Sequence, residues 1–567
     1  MAIYRSDQAQ LTFNSEAAAG GYVETIPSGL SVSGGSTTLS AAHEAGVRQI
    51  TVSSATNFTV GDHIAFDVGV TAQESELRRI EHISGTTFTL DAPTAFYHGS
   101  SCTIKEVDAT SITSATAQQY INLIPGVYET VDLPDPEMAI EGRYFLGTAS
   151  KRNFYAAYSG QQTYNGSLGG FVLLDGRALR YPIGQVASST TYVNTAGTDG
   201  DPTYGAMING AVKKGDIFVT VDAAYGTVAT NTYLVFTGST TRTTESSTTS
   251  EIRKHVGSGS TTALQLDYPL QFDHADNEYV FAVMTADGGT SVATTQTIPY
   301  THAITETVDL DSISWHAHMR ASDEDATKDF DRRYFGGKVG NATIAADEGG
   351  LVTMSWDSVN FLGMIHNQKT SSNGSVGVPF YSMMQTIDSD GVDFPTTDPY
   401  YFSQGEVTIF GQTIARIRSF SLSINNNEEP RYYVTKQMGR RRGPSEIKEQ
   451  RREYSLSVSL ALPDAGVATT AARTLFNEML LEGDYGSGKA GFDVSITFTR
   501  GNVVTGFEDK ITITVPASTA GTGGNNQGAF IRTAPHDFTT DNPFQVDADI
   551  LFRNLKIDVQ DSEYYYP

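Results

Sequence analysis

Two matched runs of strict alternation constrain this chain more than any other feature. Phe420, Leu422 and Ile424 alternate with Ser419, Ser421 and Ser423, and Tyr454, Leu456, Val458 and Leu460 repeat the pattern. A period of two belongs to a strand with one buried and one wet face. The two runs therefore predict a strand pair, separated by a charged loop from Asn425 to Glu453. Pro463-Asp464 opens a stretch in which Ala472, Leu475, Phe476, Met479 and Leu480 recur at helical spacing, stopped by Gly483 and Gly486. Val494, Ile496 and Phe498 then face Ile511, Ile513 and Val515 as a hairpin. Two antiparallel sheets with a helix at the edge bury all these faces.

The rest of the chain reads as a second version of this unit, or as something inserted into it. Leu90-Asp91-Ala92-Pro93-Thr94-Ala95-Phe96-Tyr97-His98 matches Leu266-Asp267-Tyr268-Pro269-Leu270-Gln271-Phe272-Asp273-His274 in the pattern L-D-x-P-x-x-F-x-H. Upstream, Ile64-Ala65-Phe66 pairs with Leu234-Val235-Phe236, and His82-Ile83 with His255-Val256. Such wide spacing implies a duplicated small β domain, not a solenoid. Between the copies, Phe171 to Leu179 reads as a short helix ending near Pro182 and Gly184. Asn341 to Asp347 overlays Ser419 to Asn425 in pattern, which supports two related halves. Phe544, Val546, Ala548, Ile550 and Phe552 run on into Leu555, Ile557 and Val559 as one long final strand.

The expected architecture is mainly β: two β-sandwich units, each with a flanking helix, plus two inserted small β-barrel or sandwich domains. The segments are an N-terminal arm at 1–40 that orders against something else, small β domain copy 1 at 41–110, and the first unit at 111–206. Copy 2 follows at 207–290, the first unit resumes at 291–400, and the second unit occupies 401–567.

Composition narrows the function. The net charge is −26, from 38 basic and 64 acidic residues, which opposes general nucleic-acid binding and favours solubility or tolerance of salt. The single cysteine, Cys102, excludes an intramolecular disulfide framework and reads as a small buried apolar residue. Met1-Ala2-Ile3-Tyr4-Arg5 lacks the apolar core of a secretion signal, and no run reaches the ~18 apolar residues of a spanning helix.

Candidate chemistry is sparse. His316 and His318 share a strand face, as metal ligands or as a wet polar face. His82, His98, His255 and His274 occupy matching places in the repeats, which fits a shared structural role better than two reaction centres. Asp323-Glu324-Asp325 with Asp329 and Asp331 lacks the glycine and closing glutamate of a calcium loop. No cofactor, metal or catalytic constellation is nominated, and no enzyme is expected. The one local anomaly is basic: Lys436, Arg440, Arg441, Arg442, Lys448, Arg451 and Arg452 crowd into the charged loop. It reads as an exposed flexible loop, a nucleic-acid grip, or a contact with another copy of this acidic chain. In the third reading arginine forks meet carboxylates, with Asp132, Asp135, Glu137, Asp323, Glu324, Asp325, Asp329 and Asp331 as candidate partners.

Phe335 to Trp356, Gly411 to Asn427, the loop to Arg452, Tyr454 to Leu460, the helix over 471–481 and the following hairpin together resemble the tail tube (major tail) proteins of long-tailed, siphovirus-like viruses of bacteria or archaea. The resemblance covers the chain outside the arm and the small domains, and rests on element order. It implies a structural virion protein, assembled in the host cytoplasm, whose sheets join between subunits into rings stacked as a tube for genome passage. It further implies trimeric rings imitating hexamers, and a long loop reaching the adjacent ring. Partners would be further copies and other tail proteins at the tube ends, with DNA passing unbound and no membrane involved. The alternative is a host-surface glycan-binding protein using the duplicated domains.

Overall fold

The computed structural model describes residues 4–21, 32–67, 76–107, 122–123, 126–128, 130–143, 156–193, 205–222, 230–257, 262–285, 293, 298–321, 330–366, 392–393, 397–409, 412–413, 417–433, 442–461, 493–516, 528–533, 536–537 and 545–565. They form a mainly β architecture. The predicted helix over 471–481 lies outside them.

The larger sheet has 14 strands. Its central run, in spatial order, is Val131–Asp132, Asn165–Val172, Thr353–Asn360, Phe330–Asp347, Ile417–Asn425, Glu453–Ala461, Gln545–Phe552 and Ala529–Thr533, each antiparallel to the next. The alternation sets the register: Phe420, Leu422 and Ile424 lie opposite Val458, Leu456 and Tyr454, and all six side chains are buried. Asn341–Asp347 does not stand apart from Ser419–Asn425 as a distant equivalent. The two segments are neighbours running in opposite directions, Asn341 opposite Asn425 and Asp347 opposite Ser419.

The first half of Phe330–Asp347 leaves this run and pairs with Ile313–Ala321 and Gly363–His366. The departure occurs at Gly336-Gly337. Gly336 has φ 66°, and a Cβ at either position would strike Leu362 or the Phe361 ring, so only glycine lets the strand turn here. Tyr4–Ser15 extends this branch along Ile313–Ala321. These residues are thus a strand of the chain's own sheet, not an arm that waits for another body. Phe13, 2% exposed, provides the reason. It meets Trp356 edge-on at 5.5 Å, and Trp356 also takes the edges of Phe171 and Tyr181 at 5.6 and 5.7 Å. Contacts of this kind add about 0.5–1.5 kcal/mol each beyond area burial.

A seven-stranded sheet covers the apolar face, in the order Gly184–Ser189, Tyr300–Glu306, Lys556–Asp561, Phe507–Val515, Val494–Val504, Gly405–Ile409, Gln412–Thr413. The expected hairpin register is observed: Val494, Ile496 and Phe498 oppose Val515, Ile513 and Ile511. Phe420 and Phe498 join the layers at 5.6 Å. Two expectations are corrected. The final apolar run breaks after Phe552, because Gln545–Phe552 belongs to one sheet and Lys556–Asp561 to the other, with buried Leu555 at the crossing. Asn165–Val172 is strand, and the helical turn comes later, as Arg177–Leu179 and Arg180–Ile183. The apolar face of Leu168 and Phe171 is used by the sheet, and Pro182 lies inside the turn.

The repeated segments share one strand order. The first is Val32–Thr38, Thr103–Val107, His63–Phe66, Leu77–Ser84, Thr87–Leu90, Gln49–Thr51. The second is Gly205–Met207, Tyr279–Ala282, Tyr233–Phe236, Glu251–Lys254, with Ala263–Gln265 and Phe218–Thr220 pairing separately. The motif aspartate does the same work twice. Asp91 Oδ1 accepts from Arg79 N and Ala92 N, both at 2.9 Å, and Asp267 Oδ1 from Lys254 N and Tyr268 N, both at 3.0 Å. His255, however, matches Ile80 and not His82: His255 N donates to Thr232 O as Ile80 N donates to Asp62 O. The register shift between Ile80 and His82 hides this in the sequence.

Candidate functional site

The side chains opposite the core form a face of small polar groups. Ser421, Ser423, Ser455, Ser457, Thr343, Thr353 and Ser355 occupy the positions between the buried ones, with Asp347, Asp357, Asp547 and Asp549 among them. Asp357 accepts from Thr343 Oγ1 at 2.9 Å and Ser355 Oγ at 2.7 Å. Asp549 accepts from Arg532 Nε at 2.7 Å. The result is a smooth, acid-biased surface of hydroxyls. Among the described residues, this run ends on one side at Val131–Asp132 and on the other at Ala529–Thr533 and His536–Asp537. Strand edges of this kind offer backbone groups to another strand.

The order of strands repeats. The chain visits Val131–Asp132, Asn165–Val172, Phe330–Asp347 and Thr353–Asn360, which stand side by side as first, second, fourth, third. It then visits Ile417–Asn425, Glu453–Ala461, Ala529–Thr533 and Gln545–Phe552, which stand as first, second, fourth, third again. In each set a long excursion separates the first two strands. One carries the hairpin Glu137–Arg143 with Ala156–Thr163, the other Glu429–Arg431 with Glu446–Lys448.

These two arms touch. Gln162 N donates to Arg442 O at 3.0 Å, Arg442 Nη1 to Ser159 O at 2.8 Å, and Tyr432 OH to Gln162 O at 3.0 Å. Apolar side chains stand exposed on both, with Ile140 at 68%, Tyr158 at 61% and Tyr433 at 56%. The base of the second arm is fixed from within. Buried Asn426 donates to Pro182 O at 2.9 Å and Val339 O at 2.8 Å and accepts from Arg452 Nε at 2.7 Å. Lys338 Nζ meets Glu449 Oε1 at 2.5 Å. Beside them burial pushes Glu428 up to about 8, against the pull of its Asn360 hydrogen bond and Lys338, with Glu449 adding to the rise.

The basic cluster is therefore divided. Arg442 and Arg452 are held by the chain itself. Lys448 is exposed, and Arg451, 85% exposed, lies 3.2 Å from Glu453. Lys436, Arg440 and Arg441 lie outside the described residues, as do Asp323, Glu324, Asp325 and Asp329. Of the candidate acids, Asp135 is taken by Arg332 and by Tyr334 OH at 2.7 Å, Glu137 opens the first hairpin, and Asp132 sits opposite Ser167 on the strand that ends the run among the described residues. The backbone of Asp331 pairs with that of His318. His316 is buried.

One constellation escaped the sequence reading. In the first repeat Glu76 Oε2 binds Arg78 Nη2 at 2.7 Å while Glu76 Oε1 accepts from His98 Nε2 at 2.6 Å. In the second, Glu251 binds Arg253 at 2.5 Å and accepts from His274 Nε2 at 2.9 Å. All six side chains are buried. The signal was present: Glu76-Leu77-Arg78 and Glu251-Ile252-Arg253 precede the nine-residue motif at distances that differ by a single residue. Each cluster ties a strand of its repeat to the nine-residue motif, so it organises the fold.

Among the described residues no helix is long and apolar enough to cross a membrane. No curated protein matches the chain. The family model described as phage tail tube protein matches residues 156–539, more than half of the sequence. That span contains most of the repeated strand order and all of the second arm, and the chain belongs to the phage tail tube protein family.

Proposed function

We propose that this virion tail protein closes into rings by extending its larger sheet from copy to copy, and that the rings stack into the channel through which the genome leaves. The repeated strand order with its open ends carries the reading. Within the chain, Phe330–Asp347, the last strand of the first set, pairs with Ile417–Asn425, the first strand of the second. Ala529–Thr533 holds the equivalent last place, and Val131–Asp132 the equivalent first. A junction between neighbouring chains then repeats the junction within each chain. Three chains present six such sets, a trimer that imitates a hexamer. Ring closure hides edges that an isolated copy leaves open.

The hydroxyl- and carboxylate-rich face lines the passage. Like charge lets DNA move along it without being gripped. The two arms, with Lys436, Arg440, Arg441, Arg442, Lys448, Arg451 and Arg452 on the second, reach the next ring, where their exposed apolar and basic groups meet acids of another copy. Asp132, Glu137 and the 323–331 acids are the candidates, whereas Asp135 is already engaged by Arg332. The small β domains at 41–110 and 207–290 decorate the outside, where insertion does not block closure. Other tail proteins cap the tube, which is of the long-tailed, siphovirus-like kind and is built in the host cytoplasm. Native mass measurement and electron microscopy of the purified chain test this: closed three-chain rings that stack are expected, and a monomer at every salt concentration sinks it.

A further inference from the structure

The two repeats differ at one place around their shared histidine. In the second, His274 Nδ1 reaches Glu278 Oε2 directly at 2.8 Å. The corresponding residue of the first, four after the histidine and just before the equivalent strand, is Cys102. Thr237 N donates to Tyr279 O as Asp67 N donates to Thr103 O, so Asp67 stands where the second repeat has Thr237. The first repeat thus has an aspartate and a thiol where the second has a threonine and a glutamate.

We propose that Asp67, His98 and Cys102 bind a zinc-type divalent cation. Among the described residues their ligand atoms form a group lying within 4.8 Å of one another. His98 Nδ1 stands 3.7 Å from Cys102 Sγ and 3.8 Å from Asp67 Oδ2. Tetrahedral zinc with ordinary bond lengths separates nitrogen from sulfur by roughly 3.6 Å and nitrogen from oxygen by roughly 3.4 Å, so both separations from His98 Nδ1 lie within a few tenths of an ångström of those values.

The surroundings are arranged for it. Glu76 Oε1 accepts from His98 Nε2 at 2.6 Å, which turns Nδ1 toward the thiol and carboxylate, as an outer carboxylate does for a ligating imidazole. Arg78 and the Ala95 N–H at 2.8 Å hold Glu76 in place. Thr103 N donates to Asp67 Oδ1 at 3.1 Å, leaving Oδ2 as the oxygen directed at His98. The thiol with imidazole selects zinc or cobalt over magnesium or calcium. Asp67 is the ligand nearest solvent, its side chain 14% exposed, and gives the ion its way in. Binding displaces the thiol proton and, from a charged imidazole, the proton on His98 Nδ1, so the charge the ion brings is offset by the protons it releases.

Cobalt titration of the chelator-stripped full chain tests the proposal. One equivalent per chain is expected to bind with tetrahedral ligand-field bands and a thiolate charge-transfer band, both displaced by zinc. Cys102→Ser should lose the charge-transfer band, and Asp67→Asn should weaken binding at least about tenfold. Because Asp67 is partly exposed, the second variant remains informative if the first misfolds. Absence of a thiolate band, or equal uptake by the wild type and both variants, overturns the site and leaves a histidine clamped between carboxylates.

Discussion

Ile344 lies directly opposite Leu422, both buried, at the midpoint of the strand pair that joins the two four-strand sets of the larger sheet. On either side of it the registers correspond. Ile344 faces Met354 and Ile531 faces Ile550; Ala342 faces Trp356 and Ala529 faces Phe552. Trp356 in turn faces Leu168, which faces Val131, while Phe552 faces Tyr454, which faces Ile424. Ala529 therefore corresponds to Ala342, and Val131 to Ile424. Since Ala342 is opposite Ile424, a neighbouring chain should place its Val131 opposite Ala529.

The register yields a covalent test of closure. Thr343 faces Ser423 on the polar side, so Phe530 and Thr130 of adjacent chains should face one another. Antiparallel partners have Cα atoms about 4.5–5.5 Å apart, within disulfide range. Thr130→Cys with Phe530→Cys should give a ladder on a non-reducing gel that ends at three chains, and native Cys102, 7% exposed, should not interfere. Dimers alone, or a ladder running past three without a stop, would count against three-chain closure.

Glu16 makes stability depend on pH. It is buried where the strand Tyr4–Ser15 ends, accepting from Gly20 N at 2.7 Å and Gly336 N at 3.0 Å. Burial pushes it up to about 7 from 4.5, against those hydrogen bonds. A carboxyl with a raised folded pKa stabilises most below its unfolded value, and the benefit fades as pH rises from about 4.5 through about 7. The shift corresponds to roughly 3 kcal/mol. Glu16→Gln should flatten the denaturant midpoint over that window, at the cost of one accepting oxygen. An unchanged slope would place the proton elsewhere.

The alternating strands and the hairpin were legible because each buries one face, and period two leaves no other way to do so. The strand order was not, since neighbours in the sheet lie far apart in sequence: Asn165–Val172 meets Thr353–Asn360. Asn341–Asp347 and Ser419–Asn425 look alike because they share a core as partners, which a sequence overlay cannot tell from equivalence. The Tyr4–Ser15 strand was hidden by its polar flanks, although Leu11 and Phe13 are its anchors. For the basic cluster, sequence located the arm but not its base, where a single uncharged residue, Asn426, holds the strands together.

That residue makes the third prediction. Asn426→Ala removes three hydrogen bonds and leaves Pro182 O, Val339 O and Arg452 to find other partners in a buried setting. The expected loss is about 2–4 kcal/mol, with faster proteolysis between 427 and 452 read by mass spectrometry. Asn426→Asp should also be costly, because its carboxylate cannot donate to the two carbonyls. Retained wild-type protease resistance in both variants would detach the arm's order from Asn426.

The buried ion cluster of the second repeat gives the last. His274 is pushed up to about 9 from 6.5, because its hydrogen bonds to Glu251 and Glu278 and their charges outweigh burial. A raised folded pKa in a histidine stabilises fully below about 6.5 and loses that contribution as pH rises through about 9, a span of roughly 3 kcal/mol. Glu278→Gln removes one partner and should lower the His274 pKa, measured by the imidazole proton shifts. Glu251→Gln is the harsher change. It leaves Arg253 and the imidazolium buried without their shared carboxylate, and breaking such a cluster costs about 3–5 kcal/mol. Tyr564, which donates to Asp267 Oδ1 at 3.1 Å and packs edge-on against Tyr233 at 5.3 Å, ties this repeat to the C-terminal strand. The damage should therefore spread, lowering the unfolding midpoint of the whole chain in one transition. A separate early transition would mean instead that the second repeat unfolds alone.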